Sequence, residues 1–259
     1  MRKLVVGDIH GNYRGFMQVL ERCGFDYDND MLISIGDVVD GHCDSFEVVE
    51  ELLKIKHLVA IRGNHDDWFY EWIRTGKNPS DWQQGQKHTG LSYLKHHDPN
   101  MAWSRFTIGR DGESYFESPT LKVEHIPDSH VEFFENQVPM HIDDNRVFVH
   151  GGFNRRKSIH IQPSFVLYWD RNLWEEALSF KSSKMKDVEF NNFDGFREIY
   201  IGHTTTEIWG ETTPMNAGNV WNLDTGGGWF GKISIMDIDT KEYWQSEDGR
   251  TLYPEFKGR

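Results

Sequence analysis

A chain of 259 residues, 37% hydrophobic and 14% aromatic, holds enough apolar side chain to bury a full core, and lengths near 250 are often one α/β domain. Its formal charge of -13 argues against a surface built to neutralise phosphate backbones or anionic lipid, so nucleic acid is not expected as the main partner. The start MRKLVVGDIHG has too short an apolar run for a signal peptide, and no stretch approaches the roughly 20 apolar residues of a membrane span. A soluble, cytoplasmic protein with no membrane partner is therefore expected. Cys23 and Cys43 make neither a disulfide framework nor a C-x-x-C pair, which fits free thiols in a reducing compartment.

In chain order, the first third alternates between two periods. Strands are predicted at 3–6, 31–35 and 57–61, with helices at 13–23 and 45–54 between them. Strands separated by helices imply βαβ units and a parallel sheet. From 76 to 145 the pattern turns irregular: TGKNPSDWQQGQKHTG and RDGESYF read as loop and hairpin pieces, followed by a helix at 129–136. This stretch is expected to be a loop-rich cap inserted at one end of the sheet. Strand-like runs return at 146–149, 198–201, 220–223, 232–238 and 241–244. The last two, joined by DIDTKE, read as a hairpin, so the second half is expected to form a more antiparallel sheet. The expectation is an α/β fold: a β-sandwich of two sheets flanked by helices, in a single domain over 1–259.

Chemistry gathers where these strands end. VVGDIHG closes the first strand with Asp8 and His10, SIGDVVD the second with Asp37 and Asp40, and AIRGNHD the third with Asn64, His65 and Asp66. RVFVHGG delivers His150 and IYIGHT delivers His203. Carboxyl ends of strands are the edge where open α/β sheets hold ligands. Singly, each piece is ordinary turn chemistry or a hydrogen-bonded histidine; five such ends in order are hard to assemble by accident. Imidazole mixed with carboxylate suits divalent manganese, iron or zinc, whereas an all-oxygen set would suggest magnesium or calcium. One carboxylate bridging two ions roughly 3.5–4 Å apart can activate water and clamp a phosphoryl group, the chemistry of a phosphate-ester hydrolase.

The ordered motifs G-D-x-H, G-D-x-x-D, G-N-H-D, H-G-G and G-H resemble those of the calcineurin-like metallophosphoesterases. The nearest branch is that of the phosphoprotein phosphatases, which includes serine/threonine phosphatases, phage-type bacterial phosphatases and symmetrical diadenosine tetraphosphatases. The resemblance runs from Gly7 to about Gly228 and is loose between Trp68 and Asn145. It implies two divalent ions, manganese first. Asp8 and His10 would hold one, Asn64, His150 and His203 the other, and Asp37 would bridge them. Hydroxide generated there would attack phosphorus while His65, oriented by Asp40, protonates the leaving oxygen; an unligated imidazole beside a carboxylate can donate a proton, and a ligated one cannot.

Three departures stand out. The family's G-D-x-V-D-R-G carries an arginine that grips phosphate, but here Gly41 and His42 follow Asp40; Asp66 replaces the usual glutamate of G-N-H-E; and GHTTT replaces G-H-T-P. Arg171 in LYWDRNLW resembles a second phosphate-binding arginine and is the expected substrate clamp, with His42 as a weaker contact in the vacated space. Arg62 is read as structural, and His88, His96 and His97 as solvated or locally bonded. Trp68, Phe69, Trp72, Trp82, Trp103, Trp169 and Trp174 are read as core or lid packing, some of them available as a platform for a base or peptide side chain. The expected substrate is a phosphoprotein or a small phosphoester. The alternatives are a dinucleoside tetraphosphate cleaved symmetrically, or a catalytically weak phosphate-binding scaffold.

Overall fold

The computed structural model describes residues 1–97, 106–108, 114–116, 121–183 and 189–255. Trp103, and all but 114–116 of the RDGESYF segment, lie outside these residues. The chain runs β1 (Lys3–Val6), α1 (Tyr13–Arg22), β2 (Met31–Ser34), α2 (Ser45–Leu52), β3 (His57–Ala60), α3 (Asn64–Thr75) and α4 (Gln86–His97). It continues with β4 (Phe106–Ile108), β5 (Ser114–Phe116), α5 (Asp128–Asn136), β6 (Met140–Asp143), β7 (Arg146–Val149), α6 (Ser164–Trp169) and α7 (Asn172–Ser182). Last come β8 (Glu198–Ile201), β9 (Met215–Ala217), β10 (Val220–Asn222), β11 (Ser234–Asp237), β12 (Tyr243–Gln245) and α8 (Gly249–Leu252).

Two mixed five-stranded sheets form, in the orders β12-β11-β1-β2-β3 and β6-β7-β8-β10-β9. Successive side chains of a strand point to opposite faces, and the burial divides accordingly. Val5, Ile33 and Met236 of the first sheet meet Phe148 and Tyr200 of the second in the layer between the sheets. Leu4, Val6, Leu32 and Ile235 face outward against Phe16, Val19 and Leu20 of α1, while Val147, Val149, Ile199 and Ile201 face Leu173, Trp174 and Ala177 of α7. Burial on both faces explains the unbroken apolar runs. Helix α1 starts where the Asn12 side chain accepts from the Gly15 N–H at 2.9 Å, a normal N-cap.

The sandwich expected from sequence is present, with corrections inside it. In the second sheet β7 pairs in parallel with β8, because the α6–α7 crossover returns the chain in the same direction, and β10 pairs in parallel with β8, with β9 antiparallel at its outer side. The β11–β12 hairpin joins the first sheet, beside β1. Part of the segment expected to be loop is the helix α4, and Trp82, Tyr93 and Phe134 from the 76–145 stretch share the buried cluster of Leu4 and Phe16. No helix among the described residues is long and apolar enough to cross a membrane.

At the end of the sandwich opposite the strand exits, Arg146 donates to Glu198 and Asp239, each at 2.7 Å, and Lys241 Nζ lies 2.7 Å from Glu198. The cluster ties the second sheet to the loop after β11. Burial opposes ionisation of Glu198, but hydrogen bonds from Lys241 and Arg146 hold its carboxyl below the ordinary value. An acid depressed in the folded state contributes stability that is fully present above its unfolded pKa of about 4.3 and is lost as pH falls from there through the lower folded value. Glu198→Gln should therefore cost about 1 kcal/mol at pH 7, screening by water keeping it small. The gap between urea melts of the two proteins should begin to close as pH falls past about 4.3 and vanish once the folded carboxyl is protonated; a gap that does not shrink with acidification contradicts the ionic origin.

Candidate metal centre

The site sits at the carboxyl ends of β1, β2, β3, β7 and β8. Turning sharply out of a strand needs unusual backbone. Among the described non-glycine residues with positive φ are His10 (50°), Asp37 (52°), Asp40 (65°) and His203 (66°). Such left-handed residues cost of order 1–3 kcal/mol each and cluster where function maintains them. Gly36, at φ 102°, leaves no room for a side chain: a Cβ there would lie 2.6 Å from the Gly63 nitrogen and 2.9 Å from His150 Nδ1.

Asp37 is the centre of the arrangement. Its Oδ2 lies 3.4 Å from His10 Nε2 and 3.3 Å from His150 Nε2, and its Oδ1 accepts from the His65 N–H at 2.9 Å. Two groups of ligand atoms, each within 4.8 Å of one another, share this carboxylate: His10, Asp37 and His65 in one, Asp37, His150 and His203 in the other. Asn64 Oδ1 lies 3.0 Å from His150 Nε2. Asp8 is 3.7 Å from His10 Nε2 and accepts from the His203 N–H at 3.2 Å. The Nδ1 atoms of His10 and His150 donate to the Val39 and Ile35 carbonyls, each at 2.8 Å. That leaves Nε2 of both directed into the site, the outer support usual for metal-binding histidines.

The electrostatics are those of a ligand cage. Burial would raise Asp37, but His150, His65 and His10 hold it well below the carboxylate range. Burial would lower His150, and Asp37 instead raises it to about 10. Burial, with Asp224 close by, raises Asp8. Burial, helped by His150 and Arg171, drives His203 down to about 2, and its Nε2 is buried with no hydrogen-bond partner among the described residues. A neutral, buried imidazole nitrogen without a partner fits a metal ion: divalent ions take such a donor set, and a buried polar atom otherwise needs a partner.

Next to the cage, His65 Nδ1 donates to Asp40 Oδ2 at 2.7 Å. Asp40 has 0% exposure, and its carboxylate also accepts from Trp82 Nε1 at 2.6 Å and Thr89 Oγ1 at 2.5 Å. Asp66, which departs from the family's glutamate, accepts from the Val38 and Gly63 N–H groups and from Gln137 Nε2. It thus pins the exits of β2 and β3 together. Burial and the neighbouring Asp37 raise its carboxyl to about 6.

A cavity of about 470 Å³ opens over these groups, walled by Trp68, Trp169, Arg171, Asp224 and Trp229 and, from the insertion, by Asp81, Gln83 and Gln84. Arg171 reaches it while donating to the His203 carbonyl at 3.1 Å and to Thr204 Oγ1 at 2.6 Å. His42 does not reach it. Its ring has 0% exposure and lies 4.4 Å from that of Tyr253, because the left-handed turn at Asp40 and Gly41 directs it behind His10, toward the chain's end. The expectation of a substrate contact at His42 is thereby corrected. Arg62 is structural as expected, lying over the Tyr70 ring and 3.6 Å from Asp67, and His96 pairs with Glu47 at 2.8 Å. Sequence reasoning missed Asp224 and Thr89 and read Trp82 only as packing. The first stands in LDTGGG and had only its place after a strand as a signal; the other two stood in a segment read as loop. A larger cleft, about 870 Å³, is lined by Arg155, Glu176 and their neighbours but by none of the strand-end histidines.

Known proteins are similar to this chain over part or nearly all of its length. Serine/threonine-protein phosphatase 1 of Salmonella typhimurium is 44% identical over 62 residues, 24% of this chain and 28% of that protein's length. The asymmetrical bis(5'-nucleosyl)-tetraphosphatase PrpE of Bacillus cereus strain Q1 is 25% identical over 98% of both chains. Among solved structures, one described as a candidate diadenosine tetraphosphatase superposes with a TM-score of 0.60 at 15% identity, over 96% of this chain and 93% of that one. A serine/threonine phosphatase from Saccharomyces cerevisiae gives 0.55 at 13%, over 95% and 80%. The profile that describes the calcineurin-like phosphoesterases matches residues 1–212. Matched over most of its length and built on their two-sheet fold, the chain belongs to the calcineurin-like phosphoesterase family and is a metal-dependent phosphoesterase.

Proposed function

We propose that the protein hydrolyses phosphate monoesters at a pair of divalent ions, manganese foremost with iron or zinc as alternatives. The observation that carries this reading is the Asp37 carboxylate shared by two groups of ligand atoms. Asp8 and His10 would hold one ion and Asn64, His150 and His203 the other, with the Asp37 carboxylate available to both. When bound, the ions supply Lewis acidity that activates water and neutralises phosphoryl charge. Arg171 grips the phosphate from the cavity wall, where a guanidinium pairs with two oxygens at once. His65, held by Asp40 at 2.7 Å, gives its proton to the leaving oxygen.

A second reading keeps the centre and changes the substrate to a dinucleoside polyphosphate. The tryptophans on the cavity wall, Trp68, Trp169 and Trp229, offer stacking faces for a base, and one relative of that activity aligns over 98% of the chain. A matrix of manganese, iron, zinc and magnesium against p-nitrophenyl phosphate, a phosphoserine peptide and diadenosine tetraphosphate separates the readings. Monoester turnover with manganese supports the first, and no turnover under any metal removes both. If the dinucleotide is the better substrate, two ADP indicate symmetrical cleavage, and ATP with AMP asymmetrical.

Arg171→Ala should raise KM for p-nitrophenyl phosphate about 10-fold to 100-fold, the worth of a charged hydrogen-bond pair. Arg171→Lys should recover only part of it, since an ammonium cannot pair bidentately. An unchanged KM in the alanine variant would remove Arg171 from the substrate.

A further inference from the structure

We infer that the segment from Asp81 to Thr89 belongs to the chemical apparatus: Trp82 and Thr89 are positioning residues that set the Asp40 carboxylate for the His65 proton donor. This rests on the reading of His65 as general acid. Asp40 is fully buried, and a buried carboxylate is tolerated only when its oxygens are occupied by donors. Thr89 takes Oδ1 at 2.5 Å, and its hydroxyl oxygen in turn accepts the Asp40 N–H at 3.0 Å. Backbone and side chain of Asp40 are thus held by one threonine. Trp82 Nε1 takes Oδ2 at 2.6 Å, the same oxygen that receives His65 Nδ1. With Oδ1 committed to Thr89, the carboxylate has one orientation, and that orientation presents Oδ2 to the imidazole.

The approach of the segment is close enough to be specific. Gly85 has φ 79°, and a Cβ on it would lie 2.4 Å from the Asp40 Cβ. Only glycine fits both the backbone and the gap. It starts the turn in which the His88 and Thr89 N–H groups return to the Gly85 carbonyl, bringing Thr89 onto Asp40. The same few residues put Asp81, Gln83 and Gln84 on the cavity wall. One strap therefore touches the substrate space on one side and orients the dyad on the other.

Trp82 also packs in the core, with its ring 5.9 Å from that of Phe69, so the test must separate packing from positioning. Trp82→Phe and Thr89→Val keep volume and remove the donors. General acid help matters most for a poor leaving group. Both variants should lose about 10-fold to 100-fold in kcat/KM on β-glycerophosphate and under about threefold on p-nitrophenyl phosphate, whose leaving group needs little protonation. Thr89→Ser, which restores the hydroxyl, should recover most of the alkyl-ester rate. Independently of activity, the downfield Nδ1–H proton resonance assigned to His65 by its loss in His65→Ala should move in Trp82→Phe. Equal losses on both esters, or none, with an unmoved resonance would overturn the proposal. Leaving-group selectivity lost in His65→Ala but kept in the strap variants would overturn it while leaving His65 as the acid. Absence of that selectivity in His65→Ala would overturn the acid reading instead.

Discussion

Asp37→Asn is expected to reduce phosphoester hydrolysis by a thousandfold or more and to leave the protein with at most one tightly held ion of two. Asparagine keeps the shape and can still accept the His65 N–H at Oδ1, so the backbone of the turn has no reason to change. What disappears is the negative charge facing His10 and His150 at 3.4 and 3.3 Å, the one carboxylate common to both ligand groups. A loss of roughly 4 kcal/mol in transition-state stabilisation, modest for the Lewis acidity of a metal pair, is already about a thousandfold in rate. Two measurements independent of turnover check it. Metal analysis after dialysis should give fewer ions per chain, and manganese should raise the melting temperature of the parent far more than that of the variant, because a ligand stabilises only as much as it binds the folded state. An equal manganese response in both proteins would remove Asp37 from the bridge.

That residue was legible in the sequence because its signal is local: an apolar run, a glycine, then an acid. The same is true of Asp8, His10, Asn64, His65, His150 and His203, which follow strands that alternate or run apolar for plain packing reasons. What escaped depends on partners far along the chain. His42 looked available for substrate, yet Tyr253, near the other end, covers its ring, and nothing in GDVVDGHCDS announces that. The β11–β12 hairpin was legible, but not the sheet it joins, since pairing with β1 is a contact between the two ends of the fold. Helix α4 was missed because its buried side includes Thr89 and Ser92 beside Tyr93 and Leu94. The apolar stripe that marks a surface helix is broken by the hydroxyls that Asp40 and the α2 backbone require. A functional demand on one face erased the sequence signal for the element that meets it, as is expected where local rules give way to a site.

His65→Ala and Asp40→Asn should both lower kcat on an alkyl phosphate by about 10²-fold to 10⁴-fold, the span of general acid catalysis, but they should differ in stability. The imidazole of His65 stands at the cavity with 6% exposure, and the bond it makes to Asp40 is one of several that the carboxylate accepts. Removing it leaves Trp82 and Thr89 still donating to Asp40, so melting should shift little and KM should stay within about threefold while the ions remain held. Asp40→Asn is different in kind. Three donors, from His65, Trp82 and Thr89, point at two oxygens, and an amide offers one oxygen and one NH2. Whichever way the amide turns, at least one buried donor loses its carboxylate acceptor, the indole and imidazole in one orientation and the Thr89 hydroxyl in the other, and an unsatisfied buried group costs about 1–3 kcal/mol. If Oδ1 stays with Thr89, the NH2 confronts both the indole and the imidazole, and His65 is left without the acceptor that fixes its tautomer. Thermal melts beside single-turnover rates on the two variants therefore distinguish a group that moves the proton from the group that holds it, and matched stability losses would mean that the carboxylate is satisfied by something other than these three donors.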